Sequence, residues 1–255
     1  MSKQLLKVIK ITRPRDLLRG MRSPMHALKV FKYHYRRVSE DAFISFFARQ
    51  RGISQQEIDR AYRGLSCLTL SLNEIKEQLS IYPMGYGLQM TTELSSLYLL
   101  VRLIKPDIVV ETGVSSGASS AYILFALRDN DKGRLISIDL PPDNLPPGKS
   151  SGWVVPSLLN ERWSLHIGDS KHLLEPLLHE AGEVDCFIHD SLHTYDHMMW
   201  EFRTAWNFLK PGGLFLSHDV GANDAFFDFM KETRIPWSAY RVFHVLGGFV
   251  KVDSM

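Results

Sequence analysis

Val109-Val110-Glu111-Thr112-Gly113-Val114-Ser115-Ser116-Gly117-Ala118 joins a short apolar, β-branched run to a helical one through two glycines. Ile108-Val109-Val110 reads as a strand buried on both faces. Ala118 to Arg128 reads as the helix that follows it. Glycines in such a turn let the backbone bend sharply and let a ligand approach the main chain. In an open α/β sheet this turn lies at the carboxyl end of a strand, where the ligand crevice forms. A plain tight turn has the same look, so the neighbouring strand ends decide what the loop is for.

The same alternation continues downstream. Leu135–Ile138, Trp163–Ile167, Cys186–Ile188 and Leu214–Ser217 read as strands. Helices over 93–104, Leu173–His179 and Asp196–Phe208 stand around and between them, the first ended by Pro106. Near the end, Tyr240–Val245 and Phe249–Val252 read as two strands joined by Leu246-Gly247-Gly248. A connection that short makes a hairpin, so the last strand runs antiparallel to its neighbour. The expectation is a doubly wound α/β fold with a mostly parallel seven-stranded sheet and a C-terminal antiparallel hairpin strand.

Upstream, residues 39–83 read as a helical extension. Ser39-Glu40-Asp41 and Ser54-Gln55-Gln56-Glu57 look like helix starts, and Gly52 and Gly64 mark breaks. Residues 1–38 form a basic arm: positions 1–37 hold eleven Lys or Arg and one acid, Asp16. On a helix, Lys3, Lys7 and Lys10 oppose Leu5, Leu6 and Ile9, a pattern suited to weak contact with a membrane surface. Residues 84–255 form the expected catalytic domain. No apolar run approaches the ~20 residues that span a bilayer. The start of the chain has no signal-peptide pattern. Cys67 and Cys186 are too far apart in sequence and context to suggest a disulfide framework or a Cys-based zinc site. Together these features point to a cytoplasmic protein, peripheral at a membrane surface if the arm engages lipid.

Three acids end successive strands. Glu111 is the first, Asp139 closes Ile136-Ser137-Ile138-Asp139, and Asp169 stands in Gly168-Asp169-Ser170. An acid at the end of the second strand suits a pair of ribose hydroxyls. Asp169 reads equally well as the N-cap of the next helix. Taken together, Glu111 to Gly117, Asp139 and Gly168-Asp169 resemble the cofactor motifs of class I S-adenosylmethionine (SAM) methyltransferases. Ile188-His189-Asp190-Ser191-Leu192-His193-Thr194-Tyr195-Asp196, Leu209-Lys210-Pro211-Gly212-Gly213-Leu214 and His218-Asp219-Val220 resemble the small O-methyltransferase and cephalosporin-hydroxylase-like subgroup. The resemblance covers about residues 84–252.

The resemblance implies that Glu111, Gly113, Ser115 and Gly117 hold the methionine end of SAM, Asp139 the ribose, and Asp169 and Ser170 the adenine. Asp190 then stands beside the methyl group. Asp190, His218 and Asp219 are the candidate ligands of a divalent cation, Mg²⁺ or Mn²⁺, with His218 a departure from the oxygen ligands Mg²⁺ prefers. His193 is the candidate general base, since its ordinary pKa of ~6.5 suits proton removal from a hydroxyl. His189 and His197 flank it, but His189 belongs to the strand, which argues against a shared zinc face. Tyr195 and Trp200 read as helix packing. Met84, Tyr86 and Met90 read as a lid, and the Pro-rich loop 140–149 with Trp153 as a gate over the pocket.

The expected activity is methylation of a hydroxyl on a small acceptor, a sugar or secondary metabolite, by a chain that also forms homo-oligomers. A NAD-dependent oxidoreductase is disfavoured, because Thr112-Gly113-Val114-Ser115 does not supply Gly-x-Gly-x-x-Gly. A nucleic-acid methyltransferase would use the basic arm, but Asp190-Ser191-Leu192-His193 replaces the Pro-Pro-aromatic turn such enzymes carry. A non-catalytic SAM-binding scaffold is the remaining alternative.

Overall fold

The computed structural model describes residues 38–82, 93–141, 145–241 and 245–252. The basic arm 1–37 with its membrane reading, the Met84, Tyr86 and Met90 lid, and Pro142 to Asn144 of the Pro-rich loop lie outside the described residues.

Three helices come first: α1 Glu40–Gln50, α2 Gln55–Cys67 and α3 Thr69–Ser80. Ser39 caps α1 by accepting the Ala42 amide at 3.2 Å. Ser54 and Glu57 cap α2 reciprocally, which satisfies two otherwise orphaned donors. Gly52 breaks the chain as expected, at φ +63°. Gly64 does not; it lies inside α2, where a Cβ would come within 2.6 Å of the Tyr98 hydroxyl. The glycine is there for a close approach between helices, not for a turn. Phe43 and Phe47 of α1 are buried, and the Phe43 ring sits 5.0 Å from that of Tyr240. The helical extension thus shares the core of the sheet.

The alternating part contains α4 Glu93–Ile104, β1 Ile108–Thr112, α5 Ala118–Asp129, β2 Arg134–Asp139, a 3₁₀ turn at Ser157–Arg162, and β3 Trp163–Ile167. It continues with α6 Ser170–Ala181, β4 Val184–His189, α7 Tyr195–Phe208, β5 Leu209–Ser217, α8 Ala225–Thr233, β6 Trp237–Arg241 and β7 Val245–Val250. The seven strands form one sheet in the order β3-β2-β1-β4-β5-β7-β6. Strands β1 to β5 are parallel, and β7 is antiparallel to both β5 and β6. The order reverses between β1 and β4, and that switch point is where a crevice opens at the carboxyl ends of the strands.

The antiparallel pair is present, but Leu246-Gly247-Gly248 is strand and not turn. Gly247 and Gly248 are strand residues of β7, paired with Ser217 and Leu216 on one side and with Ala239 and Ser238 on the other. Arg241 pairs with Val245, so the β6–β7 pairing runs through both glycines and past Leu246. A Cβ on Gly248 would lie 2.4 Å from the Phe215 carbonyl oxygen. These glycines allow a close strand approach, a role that mimics a turn signal in sequence.

Period-two alternation gives each face of the sheet its own population. Val109, Glu111, Leu135, Ser137, Cys186 and Ile188 share the face whose apolar members pack with α4 and α5. Thr112, Ile138, Phe187, His189, Phe215 and Ser217 share the other face, where Phe215 meets Phe202 of α7 and Phe229 of α8. Near the carboxyl ends this second face turns polar.

Candidate active site

The loop after β1 has a shape that only glycine supports at two points. Gly113 has φ +88°, and a Cβ there would fall 2.1 Å from the Asp190 carbonyl oxygen. Gly117 has φ +91°, and its Cβ would meet the Gly152 Cα at 2.6 Å. The loop is therefore pressed against the β4 end on one side and residues 152–155 on the other. Gly152 donates its amide to the Ser115 carbonyl at 2.9 Å, and Val154 donates to Ser116 at 3.1 Å. Trp153 stands next to these contacts, its ring 5.4 Å from that of Tyr82 and 4.6 Å from the Lys149 amine.

Asp139 accepts the Val114 amide at 3.2 Å and the Ser115 amide at 3.1 Å, so it ties the loop to the end of β2. It is half-buried and keeps lone pairs for a further ligand. Leu140, just past the end of β2, and Ile167, paired with Asp139 on β3, are large apolar side chains left exposed, 58% and 49%. Asp169 is the N-cap of α6 and accepts the Lys171 amide at 2.9 Å. Ser170 is buried, with its hydroxyl donating to Glu201 at 2.7 Å.

Glu111 is fully buried beneath the loop. Its oxygens accept from Ser119 and Ser120 at 2.6 Å each, at the start of α5, and from Ser137 at 2.9 Å. Trp163 donates its indole N–H to Ser137 at 3.0 Å and extends this chain. Burial pushes the Glu111 carboxyl up to about 7 against the three hydroxyls, which pull it down.

Beyond β4 the structure brings three groups together. Asp190 Oδ1 lies 2.8 Å from His218 Nδ1 and 3.5 Å from His193 Nε2. Their ligand-type atoms all fall within 4.8 Å of one another. Each is partly open to solvent. Burial lowers the His193 pKa below its ordinary value, outweighing the pull of Asp190. Asp219, expected beside His218 as a third ligand, is not a member of this group. Its backbone takes φ +48° and its carbonyl accepts the Ala222 amide, while its charge still acts on His193.

Sequence reasoning missed Glu201. It is fully buried on α7 and accepts from Thr112, His189, Ser170, Ser191 and His197. Burial alone would raise its carboxyl, but the bonds from His189 and His197 reverse this and hold it well below the ordinary range. His189 and His197 are engaged here, on Glu201. The signal was an acid in phase with Met198, Phe202 and Ala205, the apolar stripe of α7.

A family model described as a methyltransferase domain matches residues 110–220. No curated protein matches the chain significantly. Among solved structures, the chain is similar to an O-methyltransferase from Bacillus cereus in complex with S-adenosylhomocysteine (SAH), at 16% identity and TM-score 0.56, over 71% of this chain and 90% of that one. It is similar to a putative O-methyltransferase from Klebsiella pneumoniae at 16% identity and TM-score 0.54, over 83% and 97%. It is also similar to TomG from Streptomyces achromogenes, an O-methyltransferase of tomaymycin synthesis in complex with SAM, at 14% identity and TM-score 0.53, over 84% and 99%. At such identities the likeness is one of fold. Residues 110–220 match the methyltransferase-domain model, and the sheet around them has the fold of those solved O-methyltransferases.

Proposed function

We propose that this domain binds SAM across the β1–β4 switch point and methylates a hydroxyl of a small acceptor, a sugar or secondary metabolite. The observation that carries the reading is the placement of a low-pKa imidazole, His193, 3.5 Å from Asp190 at the rim of the crevice. SAM-bound and SAH-bound O-methyltransferases among the structural neighbours support the cofactor and the reaction type.

The residues present fit the cofactor. The left-handed backbone at Gly113 and Gly117 turns the loop sharply from β1 into α5, with Asp190 and Gly152 packed where side chains would stand. Asp139 offers a half-buried carboxylate to ribose hydroxyls, and exposed Leu140 and Ile167 offer apolar surface to a ring. Asp169 flanks that surface. Glu111 and Ser170 act from below, one shaping the start of α5 and the other anchoring the start of α6. SAM supplies a methyl group on a sulfonium, which leaves as a neutral thioether when the acceptor oxygen takes the methyl.

A hydroxyl attacks in line only if it is held collinear and its proton has somewhere to go. A lowered pKa keeps His193 neutral near pH 7, so its ring accepts that proton. The charge then created is met by Asp190. His218, 2.8 Å from the same Asp190 oxygen, fixes the carboxylate's orientation.

A second reading is favoured by the spacing of Asp190, His193 and His218, which suits a divalent ion. Two imidazoles and one carboxylate match Mn²⁺, Fe²⁺ or Zn²⁺ better than Mg²⁺. Such an ion would lower the pKa of the acceptor hydroxyl, and His193 would then be a ligand.

The test is methyl transfer from labelled SAM to a panel of small hydroxylated acceptors, with wild type and His193→Gln. The base reading predicts a turnover loss of about 10²–10⁴-fold with SAH affinity nearly unchanged. Equal turnover in the variant rules out His193 as the base. Loss of activity on chelation, restored by Mn²⁺ in wild type but not in Asp190→Asn, selects the metal reading; indifference to chelation excludes it.

A further inference from the structure

Glu201 is the most heavily bonded side chain among the described residues near the crevice, and the reading above gives it no part. Its Oε2 accepts Thr112 Oγ1 and His189 Nδ1, each at 2.6 Å. Its Oε1 accepts Ser170 at 2.7 Å, Ser191 at 2.9 Å and His197 Nε2 at 2.9 Å. Two carboxylate oxygens offer about four lone-pair directions, so this carboxylate is saturated.

Four of the five donors come from three separate strand ends; the fifth, His197, lies on α7 one turn before Glu201. Thr112 is the residue before Gly113, Ser170 the residue after Asp169, and Ser191 the residue after Asp190. The loops that carry Gly113, Asp169 and Asp190 are therefore each fastened, one residue away from it, to a single buried group. Backbone bonds continue the arrangement: Asp190 donates its amide to the Thr112 carbonyl, and His218 donates to the His189 carbonyl, both at 2.8 Å. The Glu201 carboxylate is wholly inaccessible and cannot touch a cofactor or acceptor itself.

We propose that Glu201 is a positioning residue that couples the three crevice loops, holding the glycine loop, the start of α6 and the Asp190–His193 turn in fixed register. Its catalytic meaning rests on the SAM-dependent reading above, but the mechanical coupling does not. Without the negative charge, five donors converge on a buried point with nothing to accept them all. The loops then open together.

The experiment is amide hydrogen exchange on the full chain, comparing wild type, Glu201→Gln and Phe229→Leu. Phe229 is buried on α8 and packs on Phe202, Phe215 and Phe249, so its truncation loosens the same face of the sheet while leaving every bond to this carboxylate in place. Glu201→Gln is expected to speed exchange together in 112–117, 168–171 and 189–193, by about tenfold or more, with α2 and α5 unchanged. Phe229→Leu is expected not to produce that triple pattern. Faster exchange in one loop only, or a uniform rise like that of Phe229→Leu, overturns the proposal. If Glu201→Gln does not fold, Thr112→Val and Ser191→Ala each delete one donor. Coupling predicts that either raises exchange in 168–171, to which neither is hydrogen-bonded; an unchanged 168–171 overturns it. SAH titration of the same proteins separates the two claims. Absence of binding by wild type contradicts the cofactor reading, while the exchange pattern still decides the coupling.

Discussion

Glu111 and Glu201 are both fully buried, on opposite faces of the sheet, and their carboxyls move in opposite directions. Three neutral hydroxyls around Glu111 do not offset its desolvation, so its pKa rises from 4.5 to about 7. The folded state then holds a proton that the unfolded state has lost between those values. Stability falls as pH rises through this window, by on the order of 3 kcal/mol in total. Glu201 has the reverse sign: its depressed pKa contributes stability that is present above the unfolded value and lost only in acid. Urea denaturation at pH 5 and pH 8 checks the first statement. Glu111→Gln should flatten the decline, gaining on wild type as pH rises; a parallel decline in both contradicts the burial argument. Glu111 was legible from its place at a strand end. Its partners were less so, although Ser119 and Ser120 stand in plain view at a helix start. Glu201 was hidden because its donors come from segments up to 89 residues away, and sequence spacing does not show such pairs.

Among the elements, those set by local chemistry were the most legible. The Ser54–Glu57 capping box, the Pro106 stop after α4 and the β-branched run of β1 all stand where their residues put them. Glycines misled where a neighbouring element dictates their use. Gly64 is held by Tyr98 of another helix, and Gly247 and Gly248 lie in the middle of a strand pair. A turn and a close approach both call for a missing side chain, and sequence alone does not distinguish them. The same geometry predicts the cost of filling the space. Gly248→Ala places a methyl 2.4 Å from the Phe215 carbonyl oxygen, a backbone atom that cannot swing aside. Its expected destabilisation is about 1–3 kcal/mol, measured by chemical denaturation. A Gly248→Ala protein as stable as wild type would contradict the close approach.

At the scale of the molecule, the strand order and the parallel pairing put the ends of β1, β2, β3 and β4 side by side, and the candidate site follows from that. Alternating helices and apolar runs announced the parallel sheet, and Glu111, Asp139 and Asp169 do stand at successive strand ends. The part of the core shared with α1 to α3 was not announced, because Phe43 and Tyr240 meet across nearly the whole chain. The central claim concerns what the assembled crevice binds. Isothermal titration of SAH into the full chain, alongside Asp139→Ala, tests it most directly. Asp139 ties the glycine loop to β2 and is the proposed partner of the ribose, so the account predicts micromolar binding by wild type and a loss of about tenfold or more in the variant. A folded wild-type protein that takes up no SAH would contradict the account.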